Sequence, residues 1–207
     1  MSLVSNLFLL FVAAAVIVYY LVPARWQWLV LLGFSYIYYI AGGIKYVGFL
    51  LFSTLVTWMI ALLIEKEETA GKHKRARKFV ILGLILNFGM LGLIKYTNFA
   101  VENLNALFHM NLRGMEILLP LGISFYTFQS SGYILDVYWK RCKAEHNPLK
   151  YALFVSFFPQ ILQGPIGRYS RLAHQLYDSH KFESRNITRG LERILWGFFK
   201  KMILADW

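Results

Sequence analysis

Apolar runs that approach the length of a membrane crossing recur along this chain, separated by short clusters of charge. A helix needs about 20 mainly apolar residues to cross the hydrocarbon core of a bilayer. Charged residues make up 16% of the 207 residues, below the roughly one quarter that is usual in soluble domains. Because a helix satisfies its own backbone hydrogen bonds in lipid, the pattern predicts an all-α, polytopic transmembrane protein.

Five membrane spans are predicted within a single membrane domain that covers residues 1–207. They comprise residues 3–22, 26–41, 46–64, 79–94 and 117–138. The first run has no charged residue before it and no small-residue cleavage site after it, so it is predicted to be a retained helix and not a signal peptide. The polar, Asn-rich residues 96–115 are predicted to lie outside the membrane or at its surface.

Lysine and arginine are concentrated in two loops, residues 65–78 and 139–150. Two predicted spans separate these loops, so both are expected on one face of the membrane. Positive charge in short loops marks the cytoplasmic face, which predicts a cytoplasmic-membrane protein with its N-terminus outside. The same distribution accounts for the net charge of +11, so membrane lipids are expected partners and nucleic acid is not.

Two segments differ from simple crossings. Residues 151–165 form a short apolar run that contains Pro159 and has basic residues on both flanks, and they are predicted to be a re-entrant element surrounded by protein. Residues 186–207 alternate basic residues and apolar anchors at helical spacing. This pattern predicts an amphipathic helix on the cytoplasmic leaflet, and the alternative is a sixth span that begins at Ile194.

Polar side chains interrupt the fifth span at helical spacing. One stripe contains Gly122, Tyr126, Gln129, Tyr133 and Asp136, and a second contains Ser124, Thr127 and Ser131. A helix with two polar faces is expected to be surrounded by protein, and the stripes either bond neighbouring helices or line a cavity. The candidate cavity-lining and substrate-binding residues are Tyr126, Gln129, Asp136, Gln160, Gln163 and Arg168. Asp136 also suits the role of an ordinary carboxylate at the cytoplasmic interface.

The chain offers no catalytic residue that the sequence can single out. None of its five histidines falls within an apolar run, so each suits a surface position better than the role of a base. The sequence has no nucleophile elbow, phosphate-binding loop, dinucleotide fingerprint or pair of zinc ligands. Cys142 is the only cysteine, which excludes an intrachain disulfide, and no metal site is predicted.

Two motifs carry a resemblance to a known family. LPLGISFYTFQSSGYILDVYWK at residues 119–140 and FFPQILQGPIGR at residues 157–168 resemble signature spans of the membrane-bound O-acyltransferases. The similar members belong to the bacterial branch of alginate O-acetyltransferases and D-alanyl-lipoteichoic acid transferases. The closing GFFKKMILADW is similar to that family's lead-in to its next helix.

The resemblance implies an enzyme that moves an acyl group through a tunnel across the membrane. The donor would be a cytoplasmic thioester, acetyl-CoA or an acyl carrier, and acts as a substrate, so no cofactor is implied. The acceptor would be a hydroxyl of an extracytoplasmic polysaccharide, with an accessory envelope protein as a further partner. Acetyl is favoured because GISFYTFQ is closer to the alginate-type members, and Arg168 suits the anionic phosphates of a donor.

The resemblance also implies that this chain is the N-terminal half of such an enzyme. Family members are about twice as long, and their base is a histidine in a buried apolar span of the other half. Two alternatives stay open on the sequence: an inactive truncated fragment, and a transporter or channel whose aqueous path is lined by the two polar stripes. The chain has no inverted repeat of the kind many transporters show.

Overall fold

A computed structural model of the chain describes residues 6–108, 120, 122–163 and 166–205. Within these ranges the chain forms helices and no strands, which confirms the all-α prediction. The helices are α1 Asn6–Leu21, α2 Gln27–Gly42, α3 Val47–Thr69, α4 His73–Phe108, α5 Ile123–Tyr138, α6 Pro148–Ser156, α7 Phe158–Gln163, α8 Tyr169–Tyr177 and α9 Ser184–Phe199. Single 3-10 turns lead into α2 and α3, and a π-helical segment, Lys200–Ala205, follows α9.

Within the described ranges, two helical segments are long and apolar enough to cross a membrane, Ile44–Thr69 and His73–Phe99. They contain the predicted spans 46–64 and 79–94. Many of their apolar side chains point away from the rest of the protein, and Phe52, Ile85 and Leu93 are more than half exposed. An apolar surface of this extent suits contact with lipid.

Several helix boundaries differ from those predicted. The charged residues 65–78 are not one loop, because α3 continues to Thr69 and α4 begins at His73. Lys and Glu favour helix, whereas Gly71, with a φ of 72°, ends α3 in the left-handed conformation that suits glycine. At its other end α4 continues to Phe108, so much of the Asn-rich segment 96–115 is helical.

Helices α3, α4 and α5 pack together as the centre of the protein, with α6 and α2 against them. Gly83 on α4 permits a close approach, since a β-carbon there would lie 2.7 Å from Cδ1 of Ile134 on α5. Between α3 and α4, the buried Asn87 accepts a hydrogen bond from Ser53 at 2.9 Å and donates one to Thr57 at 3.0 Å. Buried polar side chains therefore join neighbouring helices in this region.

The two basic regions that the span count places on one face meet in the structure. The Glu65 carboxylate accepts a hydrogen bond from the Ala144 backbone at 2.9 Å. Lys140 lies 3.3 Å from the Glu68 carboxylate. Residues 139–147 are therefore held against the ends of α3 and α4.

The predicted re-entrant segment 151–165 forms two short helices, α6 and α7, with a break at Phe157. Asn147 caps α6 by accepting from the backbone of Leu149 and Lys150, and Pro148 occupies its first position. Every residue from Tyr151 to Ser156 is buried. Protein therefore surrounds residues 151–156, whereas Pro159 is exposed. The re-entrant course of the whole segment stays a prediction.

Helix α9 has an apolar side that no other part of the described chain buries. All of its residues are at least partly exposed, and they include Leu191, Ile194, Leu195 and Trp196. Its helical, amphipathic character agrees with the sequence, whereas its contact with the leaflet stays a prediction.

Candidate functional site

Gly122 fixes the start of α5 and brings α7 against it. Its φ of 69° is left-handed, and a β-carbon on it would lie 2.5 Å from the carbonyl oxygen of Ile161 on α7. Only glycine fits both conditions without strain. Helix α5 therefore begins at Ile123. Residues 117–119 lie outside the described part, so the predicted start of the fifth span at residue 117 stays a prediction.

The break between α6 and α7 creates a polar position beside α5. In a continuous helix the Phe154 carbonyl would accept from the Phe158 amide. That amide donates instead to the Ser35 hydroxyl at 3.3 Å, and Pro159 has no amide hydrogen to offer. The buried Gln129 of α5 supplies the missing donor, with its Nε2 3.0 Å from the Phe154 oxygen.

Gln129 also contacts Gln160, the second glutamine of the predicted set. Its Nε2 lies 3.4 Å from Oε1 of Gln160. The Gln160 carboxamide packs on the backbone of Gly167, where a β-carbon would lie 2.8 Å from its Nε2. One pair of amide side chains thus links α5, α7 and residues 166–168, which precede α8.

Gln160 and Arg168 line a common cleft of about 350 Å³. We call it the arginine cleft. It lies between α7, residues 166–168 and one face of α8. The side chains that line it include Gln160, Ile166, Arg168, Arg171, Leu172 and Gln175. None of the described lining residues is acidic, so the arginine cleft is positively charged.

The other predicted site residues lie elsewhere. Tyr126 is fully buried. Its hydroxyl lies near that of Tyr39 on α2, and neither hydroxyl has a hydrogen-bond partner among the described residues. Asp136 is buried two helical turns beyond Gln129 and lies 3.5 Å from Nη1 of Arg141. Gln163 is the last residue of α7, and its side chain lies outside the described part. The roles assigned to these residues stay predictions.

The two polar stripes of α5 contribute differently to the packing. In the first stripe, Gln129 bonds α6 and α7, and the Tyr133 hydroxyl accepts a hydrogen bond from the Glu145 amide at 2.7 Å. In the second stripe, the hydroxyls of Thr127 and Ser131 are buried without a partner among the described residues. Part of the first stripe therefore joins helices, as the helix-contact alternative predicts.

A second cleft, of about 580 Å³, lies where residues 139–143 meet the end of α3. Its lining combines two carboxylates with three cations and the single thiol: Glu65, Glu68, Lys140, Arg141, Lys143 and Cys142. Burial, with smaller contributions from the charges of Asp136 and Glu65, raises the pKa of the Cys142 thiol to about 12. This thiol is therefore protonated at neutral pH.

Sequence reasoning missed the acidic residues that fix these loops. Glu145 accepts from the Tyr169 hydroxyl at 2.8 Å, while its amide donates to Tyr133 at 2.7 Å and its carbonyl accepts from Trp58 at 2.8 Å. One residue thus joins α3, α5 and α8. The sequence does offer a signal for Glu145, because it is the only acidic residue in the basic segment 139–150.

The histidines that the structure describes lie at the protein surface or in loop contacts. His73 bonds Glu68 at 2.8 Å, and His146 lies 3.2 Å from Glu65. His180 interacts with the Tyr19 hydroxyl at 2.9 Å, and His174 is exposed on α8. His109 lies outside the described residues. Among described side chains, no group of three histidine, cysteine or acidic residues is arranged to hold a metal.

Several curated proteins are similar to this chain. "Probable alginate O-acetylase AlgI" of Azotobacter vinelandii is 37% identical over 98% of this chain and 41% of its own length. "Peptidoglycan O-acetyltransferase" of Helicobacter pylori is 34% identical over 86% of this chain and 38% of its own length. "Teichoic acid D-alanyltransferase" of Lacticaseibacillus rhamnosus is 26% identical over 76% of this chain and 36% of its own length.

The chain spans about two fifths of the length of the curated relatives it matches. No family model matches the chain. No solved structure matches it either.

Proposed function

This chain belongs to the membrane-bound O-acyltransferase family, and on that premise we propose that it forms part of an enzyme that acylates an envelope polymer. The acyl group, acetyl in this proposal, moves from a cytoplasmic thioester donor to hydroxyls of an extracytoplasmic polysaccharide. The donor is a substrate, and an accessory envelope protein assists at the acceptor side.

The observation that carries this proposal is the extent of the similarity to transferases. The match to the Azotobacter vinelandii relative covers 98% of the chain, so it includes every helix described above. The named O-acetylases and the peptidoglycan O-acetyltransferase are 31–37% identical to the chain, and the D-alanyltransferase is 26% identical. This order favours acetyl over D-alanyl as the transferred group.

The chain's own part in the reaction is the cytoplasmic entrance and one wall of the acyl tunnel. The contact of Gln129 with Gln160, and the cleft that Gln160 shares with Arg168, support this assignment. Tyr126, Asp136 and Gln163 are proposed to belong to the same wall. The base that activates the acceptor hydroxyl is assigned to no described residue of this chain.

The topology proposed for this function has five spans and an external N-terminus. The contact between the two basic regions supports their common, cytoplasmic face. Residues 151–165 are proposed to enter and leave on that face, which agrees with the return of α8 to the start of α6. Helix α9 is proposed to lie on the cytoplasmic leaflet with its apolar side in lipid.

A chimera tests the proposed function. This chain replaces the segment of the Azotobacter vinelandii relative with which it aligns over 211 residues, in cells that lack their own alginate O-acetylase. We expect acetyl groups to appear on the secreted alginate. The parent relative is the positive control, and immunoblotting of the membrane fraction measures insertion.

If the chimera inserts into the membrane as well as the parent does but leaves alginate unmodified, the proposal that alginate is the acceptor is contradicted. The same chimera, assayed in membranes with labelled acetyl-CoA and soluble glycans, separates failure to use alginate from failure to transfer acetyl. Loss of transfer to every acceptor would overturn the proposed function.

A further inference from the structure

We infer that the arginine cleft is a phosphate-binding site, formed by Arg168 and Arg171 with the amides of Gln160 and Gln175. We infer further that it takes the phosphate of the acyl donor, and this second step rests on the proposed function. The inference adds Arg171 and Gln175 to the predicted residues and commits the cleft to one ligand chemistry.

The charge of the cleft is the first argument. Neither Arg168 nor Arg171 takes part in an ion pair of the described residues, and no carboxylate lines the cleft. Of the lysines and arginines on residues 139–150, Lys140 pairs with Glu68 and Arg141 with Asp136, whereas Lys143 and Lys150 take part in no ion pair of the described residues. Each of the two guanidinium groups carries a positive charge. They are thus available to an anion from outside the chain.

The arrangement of the donors is the second argument. Arg168 is the N-cap residue of α8, and Arg171 and Gln175 follow it at spacings of three and four residues. This spacing places the three side chains on one face of the helix. A guanidinium group presents a planar fork of donors that matches two phosphate oxygens. The carboxamides of Gln160 and Gln175 add neutral donors, and this combination favours a phosphate oxygen over an apolar ligand.

The cleft is built on fixed elements, which is the third argument. Gln160 is held between Gln129 and the backbone of Gly167. Helix α8 is anchored at its start by the hydrogen bond from Tyr169 to Glu145 and at its end by the one from Tyr177 to Lys150. The backbone positions from which these donors extend are therefore fixed before a ligand binds.

The size and position of the cleft indicate the kind of phosphate. Its volume of about 350 Å³ is at the low end of clefts that take small organic ligands, about 300–1,000 Å³, so it accommodates a phosphate with part of the group it carries. Both anchors of α8 lie on residues 139–150, the basic region proposed to face the cytoplasm. A cytoplasmic thioester donor that carries a phosphate meets both requirements, and so does an anionic lipid headgroup at the interface.

Binding measurements on the whole 207-residue chain in phosphatidylcholine nanodiscs test the site. The probes are coenzyme A, 4′-phosphopantetheine and pantetheine, which lacks phosphate. We expect the two phosphate-containing probes to bind, and pantetheine to bind about tenfold more weakly or worse, since charge-assisted hydrogen bonds to phosphate are lost. Equal affinity for all three probes would overturn the inference.

Variants assign the binding to this cleft. The double variant Arg168→Gln with Arg171→Gln is expected to weaken coenzyme A binding at least about tenfold, while the matched exposed variant Arg189→Gln on α9 leaves it unchanged. Arg168→Lys with Arg171→Lys, which keeps the charges, is expected to recover part of the affinity. Gel filtration of each variant verifies folding, and unchanged binding by a folded double variant would overturn the site.

A lipid arm separates the two sources of phosphate. If the cleft binds the donor, phosphatidylglycerol in the nanodisc should lower its affinity for coenzyme A only by general charge repulsion. That repulsion is set by the ionic strength used. The donor assignment would be overturned if coenzyme A binding is lost in these discs and if the unmodified chain, but not the double variant, enriches phosphatidylglycerol around itself. The cleft would then be a lipid site.

The chimera distinguishes failure of this site from failure of the proposed function. If the inference holds, Arg168→Gln with Arg171→Gln raises the KM for donor about tenfold or more, with a smaller effect on kcat. A chimera that acetylates alginate with an unchanged KM in the double variant refutes the donor site alone. If the 207-residue chain binds coenzyme A through these arginines but the chimera has no activity, the proposed function alone is refuted.

Discussion

The hydroxyl of Tyr177 donates a hydrogen bond to the carbonyl oxygen of Lys150 at 2.7 Å, although 27 residues separate them in sequence. The Lys150 ammonium group also lies 5.2 Å from the centre of the Tyr177 ring. The segment between them contains α6, which is buried from Tyr151 to Ser156, and the partly exposed α7. The chain therefore leaves the basic region 139–150, passes through the protein interior and returns to the point from which it started.

This return predicts that the two ends of the segment are accessible from one side of the membrane. In a Cys142→Ser background, single cysteines at the exposed positions Leu149 and Asp178 should react with an impermeant maleimide in inside-out vesicles and stay unlabelled in intact cells. A cysteine at Leu107, which is 74% exposed near the end of α4, should show the opposite behaviour. Labelling of Leu149→Cys and Asp178→Cys from opposite sides would contradict the re-entrant path.

Gly122→Ala should destabilise the protein, because alanine costs about 1–2 kcal/mol in the left-handed conformation and its β-carbon would clash with the Ile161 carbonyl. Gly132→Ala is the matched control within α5. No atom lies within 4 Å of its added β-carbon, and alanine favours helix over glycine by about 1 kcal/mol. The midpoint of thermal unfolding in detergent should fall for Gly122→Ala and not for Gly132→Ala. Equal midpoints would contradict the close packing of α5 on α7.

Gln129→Leu should reduce stability by about 1–3 kcal/mol, because it leaves the buried Phe154 carbonyl without a donor. Gln160→Leu removes only the longer 3.4 Å contact and leaves the Phe154 carbonyl bonded to Gln129, so its effect should be smaller. Denaturant unfolding of both variants in one detergent measures the difference. A larger loss for Gln160→Leu would show that the carbonyl of Phe154 is satisfied in another way.

Cys142 should be alkylated slowly at pH 8, because only the thiolate reacts and burial raises the pKa of this thiol to about 12. Below that pKa the labelling rate should rise about tenfold for each pH unit. Asp136→Asn removes a charge that raises the pKa, so it should accelerate the reaction at pH 8. Denatured protein provides the reference rate for an exposed thiol. A native rate at pH 8 equal to that reference would contradict the burial of Cys142.

The arrangement of the polar residues on α5 shows where sequence analysis stopped. The spacing of Tyr126, Gln129 and Asp136 places them on one stripe of a helix, and they are indeed on one helix. The three residues nevertheless have different neighbours. Tyr126 lies near α2, Gln129 contacts α6 and α7, and Asp136 pairs with Arg141. Helical spacing identifies residues that share a face, but the neighbours of that face differ from turn to turn.

Local signals determined most of the helices, the break in the segment 151–165 and the apolar character of the exposed helix faces. The cost of placing a polar or apolar group in lipid is carried largely residue by residue, so apolar runs locate the helices without knowledge of their partners. The same holds for the break near Pro159 and the amphipathic pattern of α9. Counting basic residues between spans likewise predicts that the two basic regions share a face.

Only the tertiary structure decided which polar groups meet. Gln129 and Gln160 are 31 residues apart in sequence, and Glu65 and Ala144 are 79 apart. Whether such pairs form depends on the rotation and depth of each helix, which many side chains from distant segments set together through packing. The arginine cleft and the loop held by Glu145 follow from that packing, and no local pattern in the sequence determines them.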